Sequence, residues 1–273
     1  MISILIPTLG RELTIEKAIQ SAVAFDENMI SEIIIGDNSQ SKNFRSKIMQ
    51  CIQQNNDKRI KYIEYEKRQS MASSWNLLLD AATANWVIFL HDDDFLINTI
   101  HAEIILKEIK TSNVGFISCL YNVVNNNEKI IGRQKEKSPN QEKSSYIINE
   151  CPRFVSTIYN KSSLLSVGGW KENLGYFLDM AEMIRLDNQY GSSYLLVTLG
   201  NYRIHGENLS DVKFRNDGYE PYVLNFLIYS FKYLTKVEDK AALLNLCAHI
   251  ISPKIERKII KHIKNFIKFF INK

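Results

Sequence analysis

From residue 2 to residue 121 the chain alternates short apolar runs with longer segments of helical period, and this alternation leaves few folds open. The runs 2–6, 32–36, 60–64, 86–90 and 114–121 are rich in Ile, Val and Phe and are predicted strands. The segments 11–24, 41–54, 71–82 and about 98–110 place apolar residues three and four apart and are predicted helices. Strand–helix–strand repetition of this kind folds into a mostly parallel sheet with helices on both faces. Ligands of such sheets bind beyond the carboxyl ends of the strands, so polar residues just after each apolar run are the first functional candidates.

With 273 residues the chain is long enough for one large or two small α/β domains, and needs no disulfide or metal to fold. Its four cysteines, Cys51, Cys119, Cys151 and Cys247, lie far apart and form no CxxC pair, as expected of reduced thiols in a cytoplasmic protein. Met1 runs directly into ISILIP without a basic, leader-like segment, and no run of about 18 uncharged apolar residues occurs, so neither a secretory leader nor a spanning helix is expected. The net charge is +4, but 254–273 holds seven bases and one acid, a local +6 that leaves the first 253 residues at −2. Such a body is not a nucleic-acid binder. Residues 122–145 turn polar and are expected to form a long loop or an exposed hairpin. A segment at 153–166, a Gly168-Gly169-Trp170 turn, a helix at 178–190 and further helices from 219 onward follow.

The strongest chemical signal is VIFLHDDDFL, residues 87–96, in which an apolar strand delivers three consecutive carboxylates to the sheet edge. Carboxylates packed this closely repel one another unless a cation offsets them, and Mg²⁺ or Mn²⁺ takes such oxygen ligands together with phosphates. The plainer alternative is a solvated acidic turn that caps the next helix. IIIGDNSQS, residues 33–41, places Asp37 directly after a strand, where it can accept hydrogen bonds from a base or sugar, or act in an ordinary turn and N-cap.

In their order and spacing, ISILIPTLGR, EIIIGDNSQS and SMASSWNLLLDAATANWVIFLHDDDFL resemble the family 2 glycosyltransferases, and the resemblance runs over most of residues 1–210. It implies the GT-A fold, a Rossmann-like α/β architecture, here with a C-terminal helical extension. The nucleotide-sugar half would be 1–121, the acceptor half 122–215 with its variable loop at 122–145, and the C-terminal helices 216–273. By this resemblance Pro7, Thr8, Arg11, Asp37 and Ser39 hold the nucleotide and Asn76 faces the donor. The DXD motif falls on Asp92, Asp93 and Asp94, where His91 replaces a frequent Asp. Mn²⁺ or Mg²⁺ is implied on Asp92 and Asp94, with Asp92 and Asp93 also serving the donor diphosphate; which of the three carboxylates ligates the metal stays open.

Further along, SVGGWKENLGYFLDMAEMIRL resembles the acceptor-side segment and assigns the catalytic base to Asp179, with Glu182 one helical turn away as a competitor. Without the resemblance, Asp179 is equally an acid favoured in the first turn of a helix. GNYRIHGENLS resembles the segment that closes such sites, implying Arg203 as a phosphate contact and His205 as a metal ligand. The family implies an inverting transfer from a nucleotide-sugar, most often a UDP-sugar, to a glycan hydroxyl. The tail 254–273 spaces Ile255, Ile259, Ile263, Phe266, Ile267 and Phe270 at helical period between lysines, which fits either an interfacial helix on an anionic membrane or a packed C-terminal helix. Tail and family together point to a lipid-linked acceptor in bacterial surface-polysaccharide synthesis at the inner face of the cell membrane. Rivals are a sugar-nucleotide pyrophosphorylase, which lacks its Gly-rich loop here, an Asp-nucleophile phosphatase, whose Asp motif would follow the first strand, and an inactive nucleotide-sugar-binding scaffold.

Overall fold

The computed structural model describes residues 1–25, 27–97, 102–138, 141–206, 208 and 220–251, and among these a nine-stranded sheet runs in the order β3-β2-β1-β4-β8-β6-β9-β5, with β7 beside β6. Its first half is the expected parallel unit. Strands β1 (Ile2–Thr8), β2 (Ile30–Asp37), β3 (Ile60–Glu64) and β4 (Trp86–Phe89) pair in parallel around a central β1. Every residue of β1 and β4 is buried. That explains their unbroken apolar character, because helices cover both faces. On one face Ile4, Ile6, Ile33 and Ile35 pack with Ile15 and Ile19 of α1 (Ile15–Val23) and Phe44 and Ile48 of α2 (Lys42–Asn55). On the other, Leu5, Ile34 and Phe89 pack with Trp75, Leu78 and Leu79 of α3 (Met71–Ala81). Ser41 and Ser70 start α2 and α3 by accepting the Phe44 and Ser73 N–H in their side chains.

The second half is mixed. β8 (Thr157–Asn160) lies antiparallel between β4 and β6 (Phe116–Val124). Beyond them β9 (Ser192–Arg203) runs parallel to β6 and antiparallel to the two-residue β5 (Phe95–Leu96). The boundary expected at 121/122 falls inside β6. That strand continues to Val124 and turns back as β7 (Ile130–Arg133), so the start of the polar stretch is the exposed hairpin rather than a loop. Its end enters α5 (Lys143–Glu150). The segment 153–166 divides into β8 and α6 (Lys161–Ser166), and α7 (Leu178–Tyr190) matches the predicted helix. β9 was not foreseen, because irregularities in its pairing near Ser118 and Leu120 break the alternation that marks a strand in sequence. The helix predicted over 98–110 is α4 (Ala102–Thr111), while 98–101 lie outside the described residues. α8 (Glu220–Phe231) and α9 (Val237–Ile251) are the expected C-terminal helices. The boundary at 215/216 and the basic stretch 254–273 also lie outside the described residues.

Candidate active site

The parallel register brings the carboxyl ends of β1, β2 and β4 side by side, with Thr8 opposite Asp37 and the Leu90 N–H donating to Leu5 O at 2.8 Å. Everything polar that follows these strands therefore meets at one edge. Asp92 turns back toward β1, where its carboxylate accepts Thr8 Oγ1 at 2.5 Å, the Leu9 N–H at 3.3 Å and Arg11 at 2.7 Å. Arg11 also reaches Asp93 at 3.3 Å. Asp37 accepts Tyr62 Oη and the Ser39 N–H, each at 2.8 Å. Burial and this carboxylate push the Tyr62 phenol up to about 12. Two hydrogen-bonded groups, Thr8 and Arg11 on Asp92 and Ser39 on Asp37, thus lie along one rim at the strand ends. Pro7 is buried within β1, opposite Gly36.

The three acids are 1 %, 6 % and 2 % exposed in chain order, which overturns the solvated-turn reading, since buried carboxylates need a compensating partner. Burial and the adjacent Asp93 push the Asp94 carboxyl well above the ordinary range. Burial acts on Asp93 too, but the hydrogen bond to His205, with Arg11 and His91 nearby, holds it below. Asp94 accepts the Arg203 N–H at 2.8 Å and Asp93 meets His205 Nε2 at 2.9 Å. His91 packs beside Trp75 and Phe154, with ring centroids 5.2 and 5.0 Å away. Burial keeps its imidazole neutral, and its Nε2 is buried with no hydrogen-bond partner. One ligand atom each from His91, Asp93 and Asp94 lie within 4.8 Å of one another. Two carboxylates and an orphaned neutral imidazole are a donor set that fits a divalent cation, in particular a first-row transition ion that accepts nitrogen as well as oxygen.

Asp179 stands in the first turn of α7, where it accepts the Met180 N–H at 2.7 Å. Burial raises its carboxyl, opposed by Arg153 and His91, so it lies within electrostatic reach of the acid cluster's histidine. Glu182, its competitor, is fully buried on the side of α7 that meets α8 and accepts Tyr229 Oη at 2.8 Å. The two acids thus differ in their surroundings: the charges of Arg153 and His91 act on Asp179, whereas Glu182 bonds the C-terminal helix α8.

Several of the expected site residues have partners within the chain. The Asn76 amide is spent on Trp170, donating to its carbonyl at 3.0 Å and accepting its N–H at 2.9 Å, and so holds a turn rather than a donor. Arg203 donates Nε to the Asp93 carbonyl at 2.8 Å and reaches Asn126 O and Glu128, so its guanidinium clamps the hairpin onto the acidic turn instead of facing a phosphate. Asp92 accepts from Thr8, Leu9 and Arg11, and His205 meets Asp93. The converging ligand atoms belong to His91, Asp93 and Asp94 in place of the expected Asp92, Asp94 and His205. Sequence reasoning missed Arg153, whose only signal is a charge inside the otherwise apolar run before β8.

The comparisons with known proteins agree with this architecture. The chain is 28 % identical over 165 residues to the GalNAc(5)-diNAcBac-PP-undecaprenol beta-1,3-glucosyltransferase of Campylobacter jejuni, a match that covers 60 % of this chain but only about half, 52 %, of that relative. It is 26 % identical over 219 residues to the UDP-Glc:alpha-D-GlcNAc-diphosphoundecaprenol beta-1,3-glucosyltransferase WfgD of Escherichia coli, covering 79 % of this chain and 81 % of that protein. Among solved structures, S. aureus TarS in complex with UDP-GlcNAc superposes with a TM-score of 0.68 at 15 % identity, over 94 % of this chain and 76 % of that one. The mannosyltransferase PcManGT of Pyrobaculum calidifontis, in complex with GDP-Man and Mn²⁺, superposes with a TM-score of 0.64 at 13 % identity, over 99 % of this chain and 80 % of that one. The fold is accordingly the GT-A fold, as the sequence led one to expect. Residues 3–164, more than half of the chain, match the family described as glycosyl transferase family 2, and the chain belongs to that family.

Proposed function

We propose that this chain transfers one sugar from a nucleotide-sugar, a UDP-sugar by the relatives' example, to a hydroxyl of a lipid-linked glycan, with inversion at the anomeric carbon. The observation that carries the reading is the cluster of His91 with the buried Asp93 and Asp94, together with Asp179 within electrostatic reach of His91 on a separate helix. The rim of Thr8, Arg11, Asp37 and Ser39 binds the nucleotide. Trp75 and Phe154 pack on the His91 ring and hold it in place. His91, Asp93 and Asp94 would hold a divalent cation, which would supply positive charge to offset the negative charge of the leaving diphosphate.

Asp179 takes the acceptor hydroxyl proton as the new C–O bond forms and the bond to the diphosphate breaks. Attack from the face opposite the leaving group inverts the configuration, and no enzyme nucleophile is required. The undecaprenol-linked acceptors in the names of both relatives support a lipid-linked acceptor here, in bacterial surface-glycan synthesis. Among the described residues no helix is long and apolar enough to cross a membrane. The basic stretch 254–273 supports peripheral contact with the inner, anionic membrane face.

The test is thermal stability against UDP-, GDP-, CMP- and dTDP-sugars, each with and without Mn²⁺. A shift for one nucleotide that needs Mn²⁺ and disappears in Asp94→Ala is the expected result. No shift with any of them rejects the donor site.

A further inference from the structure

Arg153 leads into the short helical turn Phe154–Ser156 and lies against β9. Its guanidinium stacks over the Tyr202 ring at 4.8 Å from the centroid, and the Tyr121 hydroxyl is its hydrogen-bonding neighbour. Its Nε is buried without a hydrogen-bond partner, and none of the ion pairs among the described residues includes it. Its neighbour Phe154 packs against His91, and its charge acts on both Asp94 and Asp179. A guanidinium cannot shed its proton, so an Arg Nε–H buried without an acceptor is costly in the free protein. The aromatic platform fixes the plane of the fork and leaves the missing partner to come from outside the chain. Planar, multiply donating guanidinium matches phosphoryl oxygens better than any other biological anion except a carboxylate, and the neighbouring carboxylates are already engaged or unpaired with it.

We infer that Arg153 is a substrate-contacting residue that receives a phosphoryl oxyanion between the metal-ligating cluster and Asp179. This rests on the transferase reading above. That oxyanion has two sources, the diphosphate of the donor and the diphosphate of a lipid-linked acceptor, and both present the same chemistry to the fork.

Wild type, Arg153→Gln and Arg153→Lys are compared by calorimetric titration of UDP in the presence of Mn²⁺ and by the KM for the acceptor in the transfer assay. If the donor supplies the oxyanion, Arg153→Gln weakens UDP binding at least tenfold. If the acceptor supplies it, UDP binding holds and the acceptor KM rises at least tenfold. Arg153→Lys keeps the charge without the fork and falls between wild type and Arg153→Gln. Inorganic pyrophosphate raises the melting temperature of wild type more than that of Arg153→Lys, a readout that stands even if Arg153→Gln does not fold. Variants that match wild type within twofold in UDP affinity, acceptor KM and pyrophosphate response overturn the inference while the transferase reading survives. A wild-type protein that binds no nucleotide and transfers no sugar overturns both.

Discussion

Asn76 and Trp170 exchange two hydrogen bonds across 94 residues of sequence, the Asn76 Nδ2 donating to the Trp170 carbonyl at 3.0 Å and the Trp170 N–H donating to Asn76 Oδ1 at 2.9 Å. A side-chain amide here does the work of a strand neighbour. It ties α3, which packs on the nucleotide half, to the turn that aims α7 and Asp179. Gly169, at φ +64°, lets that turn approach, because a Cβ there would collide with Asn76 Oδ1.

Asn76→Ala removes both bonds and strands a backbone N–H and C=O. Each loss is worth about 1 kcal/mol, so chemical denaturation should show a destabilisation of about 2 kcal/mol with an unchanged m-value. A loss of transfer activity larger than the loss of folded protein would show that the turn also positions Asp179.

Asp179→Asn keeps the size of the group and removes its basicity. Turnover should fall about a thousandfold while UDP affinity in the presence of Mn²⁺ stays at the wild-type value. Unchanged turnover would return the base to another residue. Glu182 is a poor substitute because it faces α8.

His91→Asp exchanges a neutral nitrogen ligand for a third carboxylate in the same aromatic pocket. Oxygen-only sites favour Mg²⁺, so metal titrations followed by thermal shift should show the Mg²⁺-to-Mn²⁺ preference rising relative to wild type. The metal-free variant should melt below wild type, since an added buried charge lacks a partner. An unaltered metal preference would remove His91 from the ligand set.

Glu182 gives stability a pH dependence of definite sign. Burial, opposed by the Tyr229 hydrogen bond and by Arg185 and Lys171, raises its carboxyl from 4.5 to about 7. The folded protein holds this proton up to about pH 7, whereas the unfolded chain releases it near 4.5. Its contribution is therefore fully present below pH 4.5, is lost as pH rises to 7, and is flat above. The loss amounts to roughly 3 kcal/mol. In Glu182→Gln that slope should vanish from unfolding curves taken between pH 5 and 8, and the variant should be the more stable protein at pH 8. A wild-type slope retained in the variant would assign the dependence to another group.

Much of the parallel first half of the sheet was legible from sequence because its determinants are local. The apolar runs of β1, β2 and β4 and the helical periods of α1 to α3 each lie within a dozen or so consecutive residues, and parallel pairing then follows from the crossovers. The same logic puts Asp37 and the acidic triplet at one edge, where the register sets Thr8 opposite Asp37. The serine caps of α2 and α3 are equally local.

The second half depended on partners distant in sequence. That β9 would lie between β6 and β5 is written in no single window, because its irregular register hides the alternation. Which way Arg203 points was decided by the Asp93 carbonyl 110 residues away, and Asn76 by Trp170. Residue type alone said that Arg203 could meet a phosphate and Asp92 a metal, but a side chain satisfies its hydrogen bonds with whatever the sheet order brings nearest. The sequence by itself determined which groups reach the strand ends. Tertiary structure alone decided which of them are consumed by one another, and which, such as His91 Nε2 and Arg153 Nε, are buried without a partner of their own.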